Sequence, residues 1–111
     1  MDKRVVVTGM GMVSPLGIGV KENWEAICQG KSGIAPVTRF DITDFPSKIA
    51  GEVKGFNPED FMDKKETKKM DAFIHYALAS GTMAIQDAQL TIDESNADRV
   101  GVLVEIGRAH V

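Results

Sequence analysis

Between residues 63 and 90 the chain places apolar side chains at Phe73, Ile74, Ala77, Leu78, Gly81, Ala84, Ile85 and Ala88, at spacings of three and four. That period predicts one long helix burying a single face. The face carries alanine and glycine, so a neighbouring backbone can approach it closely. No other segment keeps the pattern so long, and the helix is expected to be the main packing wall. Residues 4–8 (RVVVT) and 99–104 (RVGVLV) are runs of apolar, largely β-branched residues. They predict strands covered on both faces, as in parallel sheets. Residues 21–29 (KENWEAICQ) read as a short amphipathic helix with Trp24, Ile27 and Cys28 inward and Gly30 just past its end. Residues 48–53 (KIAGEV) alternate as a strand does, weakened by Gly51, and Asn57 with Pro58 opens a short helical turn through Phe61. Residues 30–46, with Gly33, Pro36 and Pro46, are loop-rich, and residues 93–98 form a polar loop.

Strand, helices, strand is the layout of an α/β crossover whose two end strands pair in parallel. Two such strands cannot cover both faces and both edges of a sheet, so the architecture reads as unfinished. The last seven residues, Glu105 to Val111 (EIGRAHV), fit neither strand alternation nor a helix start.

Gly9 and Gly11 directly after an apolar strand invite a dinucleotide-binding reading. That fingerprint needs a third glycine where Ser14 stands, followed here by Pro15, and no acidic residue closes a second strand some distance on. The two glycines are expected to serve a tight turn or close packing instead. The 111 residues are 43% hydrophobic and 26% charged, as in an ordinary soluble globular chain. A net charge of −3 gives no reason to expect nucleic-acid binding, so any basic patch is local. One cysteine, Cys28, excludes an internal disulfide and suits a reducing, cytoplasmic setting. The apolar N-terminal run is too short for a membrane span or a signal peptide.

One local charge pattern stands out. Asp63 and Glu66 have the spacing of a capping box, yet Lys64, Lys65, Lys68 and Lys69 crowd the same helix start. On a continuous helix, Lys64 with Lys68 and Lys65 with Lys69 are like-charge pairs at i,i+4, each unfavourable by about 0.2–0.5 kcal/mol. Cations there also oppose the helix dipole. A solvated face is one reading of the run, and an anionic partner is the other.

Four segments together reach a known family. VVVTGMGMVSPLG at 5–17, the W-x-x-I-x-x-G-x-S-G-I pattern at 24–34, RFD at 39–41 and KKMDAFIHYAL at 68–78 stand in order. With them the chain resembles the N-terminal portion of bacterial β-ketoacyl-acyl-carrier-protein synthases of the type II class. The resemblance covers residues 1 to about 104 and leaves 105–111 outside it; that heptapeptide is expected to be non-native, the translation of a sequencing-library adapter. The resemblance implies an α/β, thiolase-like fold of which this chain holds the beginning of the first half. It further implies a homodimer, no cofactor or metal, and elongation of an acyl chain by decarboxylative condensation with malonyl-loaded acyl carrier protein. The family's catalytic cysteine and two histidines match nothing in this chain. Cys28 is not at the nucleophile motif and is expected to be inert filling. His75 is expected at a surface or interface, and His110 lies in the tail. The family's basic residues before the M-D-A-F segment face the docking carrier, which carries that role to Lys65, Lys68 and Lys69, with Lys64 as a neighbour. An acidic carrier helix and a phosphodiester-bearing arm suit such a patch. The competing reading is a small, non-catalytic, stand-alone domain binding some other acidic partner through residues 64–69.

Overall fold

The computed structural model describes residues 2–107. Its regular structure begins with a tight hairpin of β1 (Val13–Ser14) and β2 (Gly17–Ile18), Val13 opposite Ile18 and Ser14 opposite Gly17. The Ser14 hydroxyl accepts the Leu16 N–H at 3.1 Å inside the turn. Gly19 then leads into α1 (Val20–Cys28) at φ 104°, a conformation that favours glycine. The end of α1 is a Schellman motif, as Gly30 foreshadows: Gly30 N–H donates to Ile27 and Lys31 N–H to Ala26, each at 2.9 Å, with Gly30 at φ 67°.

A second antiparallel ribbon pairs β3 (Ile34–Pro36) with β4 (Ile49–Gly51). The strand expected over 48–53 is thus present in its central three residues. Pro15 joins the ribbons: a Cβ on Gly33 would lie 2.7 Å from Pro15 Cβ, and one on Gly51 2.9 Å from Pro15 Cγ. At the ribbon's base the Glu52 carboxylate accepts from Thr38 N–H (3.1 Å), Thr38 Oγ1 (2.8 Å) and Arg39 N–H (3.2 Å). The Arg39 guanidinium donates to the Val53 carbonyl (2.7 Å) and the Tyr76 hydroxyl (3.2 Å). The arginine of the RFD segment therefore ties this ribbon to the next helix. A 3₁₀ turn, Pro58–Asp60, follows, with the Asn57 side chain accepting from Glu59 N–H at 3.2 Å as its cap.

The long helix departs from expectation. It is broken into one turn, α2 (Lys64–Thr67), and α3 (Ala72–Asp87). Asp71, extended at ψ 162°, restarts the helix after a linking stretch over 68–71. The break falls beyond Lys68, which is still helical in conformation, so Lys64 and Lys68 keep their i,i+4 spacing and the crowding is not relieved by it. Nor does the capping box form: the Asp63 side chain makes no cap bond, and Glu66 instead accepts from Lys69 Nζ at 2.8 Å.

Helix α3 has two apolar faces where the periodicity implied one. Gly9 and Gly11 press against the small face: a Cβ on Gly9 would lie 2.5 Å from Ala88 N, and one on Gly11 2.9 Å from Ala84 N, with the Ser80 carbonyl closer still. Neither glycine has a positive φ, so close packing, not a turn, requires them. The other face, with Phe73, Ile74, Ala77, Leu78, Gly81 and Ile85, lines an open groove of about 460 Å³ with Val102, Val104 and Ile106. Phe73, Leu78 and Ile85 are 51, 43 and 42% exposed, so the expected core stripe is only half covered. A helix with two apolar faces has one to bury on each side, as helices inside a larger body do.

The two expected parallel strands do not pair. Residues 5–7 and 102–104 join no ribbon among the described residues, and Val5 and Leu103 are 94 and 95% exposed. A strand forms only where a neighbour supplies hydrogen bonds, and among the described residues none does so for either segment. Helix α1 also turns differently from its reading. Asn23 and Ala26 are buried, while Trp24, Ile27 and Cys28 are exposed. The whole has a radius of gyration of 17.3 Å, against about 13 Å for a self-contained domain of this length. Its accessible surface is 9478 Å², against about 6,000 Å² for a compact chain of this mass.

Candidate functional site

The turn made by α2 and the residues after it carries Lys64, Lys65, Lys68 and Lys69, all exposed. Asp63's carbonyl accepts from Glu66 N–H (2.8 Å) and Thr67 N–H (3.1 Å), which closes the single helical turn. Thr67 Oγ1 donates to the Lys64 carbonyl at 2.8 Å, and Lys69 N–H to Glu66's at 3.0 Å. The four lysines are not equivalent. Lys64 Nζ lies 3.8 Å from Glu59, and Lys69 Nζ lies 2.8 Å from Glu66. Lys65 and Lys68 have no carboxylate within 4.0 Å among the described residues. Glu59, Asp60, Asp63, Glu66 and Asp71 surround the four lysines, so the turn is not a strongly positive field. It offers two free ammonium groups in a mixed rim, a geometry suited to a specific close contact more than to long-range steering.

The turn is held at its entry by aromatics and at its exit by a histidine. Phe61 stacks on Phe56 at 5.7 Å, and Phe56 meets Tyr76 edge-on at 5.1 Å. His75 Nε2 lies 3.0 Å from the Thr67 carbonyl. The sequence gives no sign of this tie, because its acceptor is a backbone group. Asn23 was missed for the same reason. Its amide donates to the carbonyls of Gly17 (2.9 Å) and Gly19 (2.8 Å), and its oxygen accepts from Ser14 Oγ. At 1% exposure it is the polar centre joining the β1–β2 hairpin to α1.

Nothing in the described residues assembles a nucleophile and base. Cys28 is exposed on α1, not the packed filling expected of it, and its thiol bonds to no histidine there. His75 is half-buried and engaged with Thr67, and His110 lies outside the described residues. Among those residues no group of three or more His, Cys, Asp or Glu could hold a metal ion. No helix in them is long and apolar enough to cross a membrane.

The fold has a solved counterpart. The ishigamide ketosynthase/chain length factor superposes with a TM-score of 0.71 at 38% identity, over 78% of this chain and 21% of that one. The class is therefore a partial α/β, ketosynthase-like (thiolase-like) fold. The chain belongs to the β-ketoacyl synthase family, whose N-terminal domain it matches over residues 2–110. That match runs into residues 105–110 and so does not itself set the tail apart. Among curated proteins, the 3-oxoacyl-[acyl-carrier-protein] synthase 2 of Synechocystis sp. is 47% identical over 105 residues, and that of Vibrio cholerae 49%. The Staphylococcus aureus protein of the same name is 48% identical over 106 residues. These alignments cover 95–96% of this chain, which spans about a quarter of the relatives' length (25–26%).

Proposed function

We propose that the chain supplies the N-terminal part of a condensing acyltransferase, one that elongates an acyl thioester by decarboxylative condensation with a malonyl group on acyl carrier protein. In this reading Lys65 and Lys68, with Lys69 and Lys64 beside them, dock the carrier. The observation that carries it is the pair of exposed, unneutralised lysines on a turn fixed at both ends, in a chain of this family. The open groove along α3 and the unpaired strand segments are the faces that the rest of a synthase covers. Homodimerisation and a cytoplasmic location belong to the same proposal. So does inactivity of the chain by itself, since it brings no nucleophile–base pair among its described residues. Residues 105–111 are proposed to be foreign to the enzyme, which the genomic reading frame past residue 104 tests.

The docking role is tested in a synthase of full family length carrying residues 1–104 of this chain. Lys68→Glu should raise KM for acyl-loaded carrier roughly three- to tenfold at low salt, the scale of one exposed charge contact reversed in sign. The effect should shrink as salt rises, with kcat unchanged. An unaltered KM at low salt refutes it. The stand-alone reading has little support from the molecule, whose radius of gyration of 17.3 Å exceeds that of a self-contained domain.

A further inference from the structure

Four residues of helix cannot hold themselves in place, because nucleating one turn is unfavourable in isolation. The bonds internal to residues 63–69 shape α2 but leave its position undetermined, since each begins and ends within the turn. Position must come from links to the rest of the molecule. The Lys64–Glu59 pair is one, but at 3.8 Å between side chains 71 and 47% exposed it contributes little. The aromatic stack of Phe61, Phe56 and Tyr76 fixes the entry, upstream of all four lysines. Past Thr67, where Lys68 and Lys69 stand, the bond from His75 carries the link.

We infer that His75 is the positioning residue of the lysine turn: its Nε2–H holds the Thr67 carbonyl and thereby sets where Lys65 and Lys68 stand. A carbonyl oxygen only accepts, so Nε2 carries the proton in this bond. Thr67 is the last residue of α2, so no later residue of that helix can donate to its carbonyl. His75 satisfies it from the first turn of α3, eight residues on, at 3.0 Å in a half-buried setting. Its neighbour Tyr76 receives Arg39 at 3.2 Å, so two consecutive residues of α3 hold two different segments, the lysine turn and the β3–β4 ribbon. The inference rests on the carrier-docking reading and deepens it: lost donation from residue 75 frees the turn without removing any lysine.

The test uses the same full-length synthase and compares His75→Gln, His75→Asn and His75→Leu. A glutamine amide nitrogen reaches about as far as Nε2, whereas asparagine falls short and leucine donates nothing. His75→Asn and His75→Leu should raise KM for acyl-loaded carrier about three- to tenfold, the scale of one net hydrogen bond. His75→Gln should stay near the parent. Turnover of an acyl thioester of a small thiol, which needs no carrier docking, should be unchanged in all three, which also shows that they are folded. Equal carrier KM in the asparagine and glutamine variants, whether raised or not, overturns the role of His75. If Lys68→Glu raises carrier KM while His75→Asn does not, the positioning inference alone fails; if Lys68→Glu is silent, the docking reading itself has failed.

Discussion

Gly11 gives the sharpest stability test, because its environment leaves no room for even one carbon. An ideal Cβ there would lie 2.9 Å from both Ala84 N and Met83 Cβ, with the Ser80 carbonyl closer still. Two of those neighbours are backbone of α3, which cannot rotate aside as a flexible side chain can. Gly11→Ala therefore has to lift the N-terminal segment off the helix by about the difference between this separation and ordinary contact. The same lift strains the Met10 N–H bond to Asp87 Oδ2, 2.9 Å long. Overpacking of this kind costs about 1–3 kcal/mol. In the full-length synthase carrying this N-terminus, the denaturation midpoint of Gly11→Ala should fall accordingly. A suitable comparison is Gly19→Ala, where nothing lies within 4 Å and φ is 104°. With ψ at 151° it lies in a region that is essentially glycine-only, so its penalty should come from backbone strain alone, about 1–3 kcal/mol. Hydrogen exchange separates the two, since only Gly11→Ala should deprotect amides of α3. An unchanged midpoint and unchanged α3 protection in Gly11→Ala would show that the N-terminal segment does not rest on the small face.

Two further outcomes follow from the polar network. Asn23→Ala strands the Gly17 carbonyl and removes the Ser14 partner inside a buried site, at about 1–3 kcal/mol per unsatisfied group, so the unfolding midpoint should drop; a midpoint equal to the parent's would mean that the network is dispensable. The hydroxyl and amide of Thr38, with Arg39 beside them, hold the Glu52 carboxyl below its ordinary range. A depressed carboxylate contributes stability that is present above the unfolded pKa, about 4.3, and is lost as pH falls through the lower folded value. The ribbon should therefore loosen on acidification below about pH 4 in the parent and show a flatter acid limb in Glu52→Gln, read by carboxyl and amide NMR titration; identical acid limbs would refute the assignment.

What the sequence disclosed depended on whether the signal was local. Gly30 after α1, Asn57 before Pro58 and the alternation around Ile49 each act over a few residues, and each stands where it was read. The missing third glycine of a dinucleotide site left Gly9 and Gly11 to a tight turn or close packing, and only the structure decides for packing. The exposure of the four lysines was legible from charge alone. Asn23 and His75 were not, since their partners are carbonyls of Gly17, Gly19 and Thr67, and every residue type has a carbonyl. The break between α2 and α3 was missed because periodicity counted Lys68 to Asp71 as helix, while Asp71 could equally begin one. Orientation of α1 failed for a different reason. Trp24 and Ile27 are the obvious inward residues, yet what α1 meets in this molecule is the β1–β2 hairpin, through Asn23, with Ala26 buried as well.

The same distinction explains why α3 was read as a one-faced helix. Its small residues Ser80, Ala84 and Ala88 meet the backbone of Gly9 and Gly11, and its large ones, Phe73, Leu78 and Ile85, look the other way into the groove. Periodicity merged the two sets, because alanine and glycine count as apolar whichever side they face. Separating them changes what the helix is for. The small side is a fixed backing that lets the N-terminal segment lie within van der Waals reach. The large side is an apolar wall whose exposure of 42–51% at Phe73, Leu78 and Ile85 is too great for a finished core. At its N-terminal end the same helix supplies His75 to the lysine turn and Tyr76 to the β3–β4 ribbon. Covering the groove would stiffen the helix along its length, and with it the start from which both ties project. On this reasoning the lysine turn is best ordered when α3 is covered, which would couple the proposed carrier-docking surface to the core through one helix.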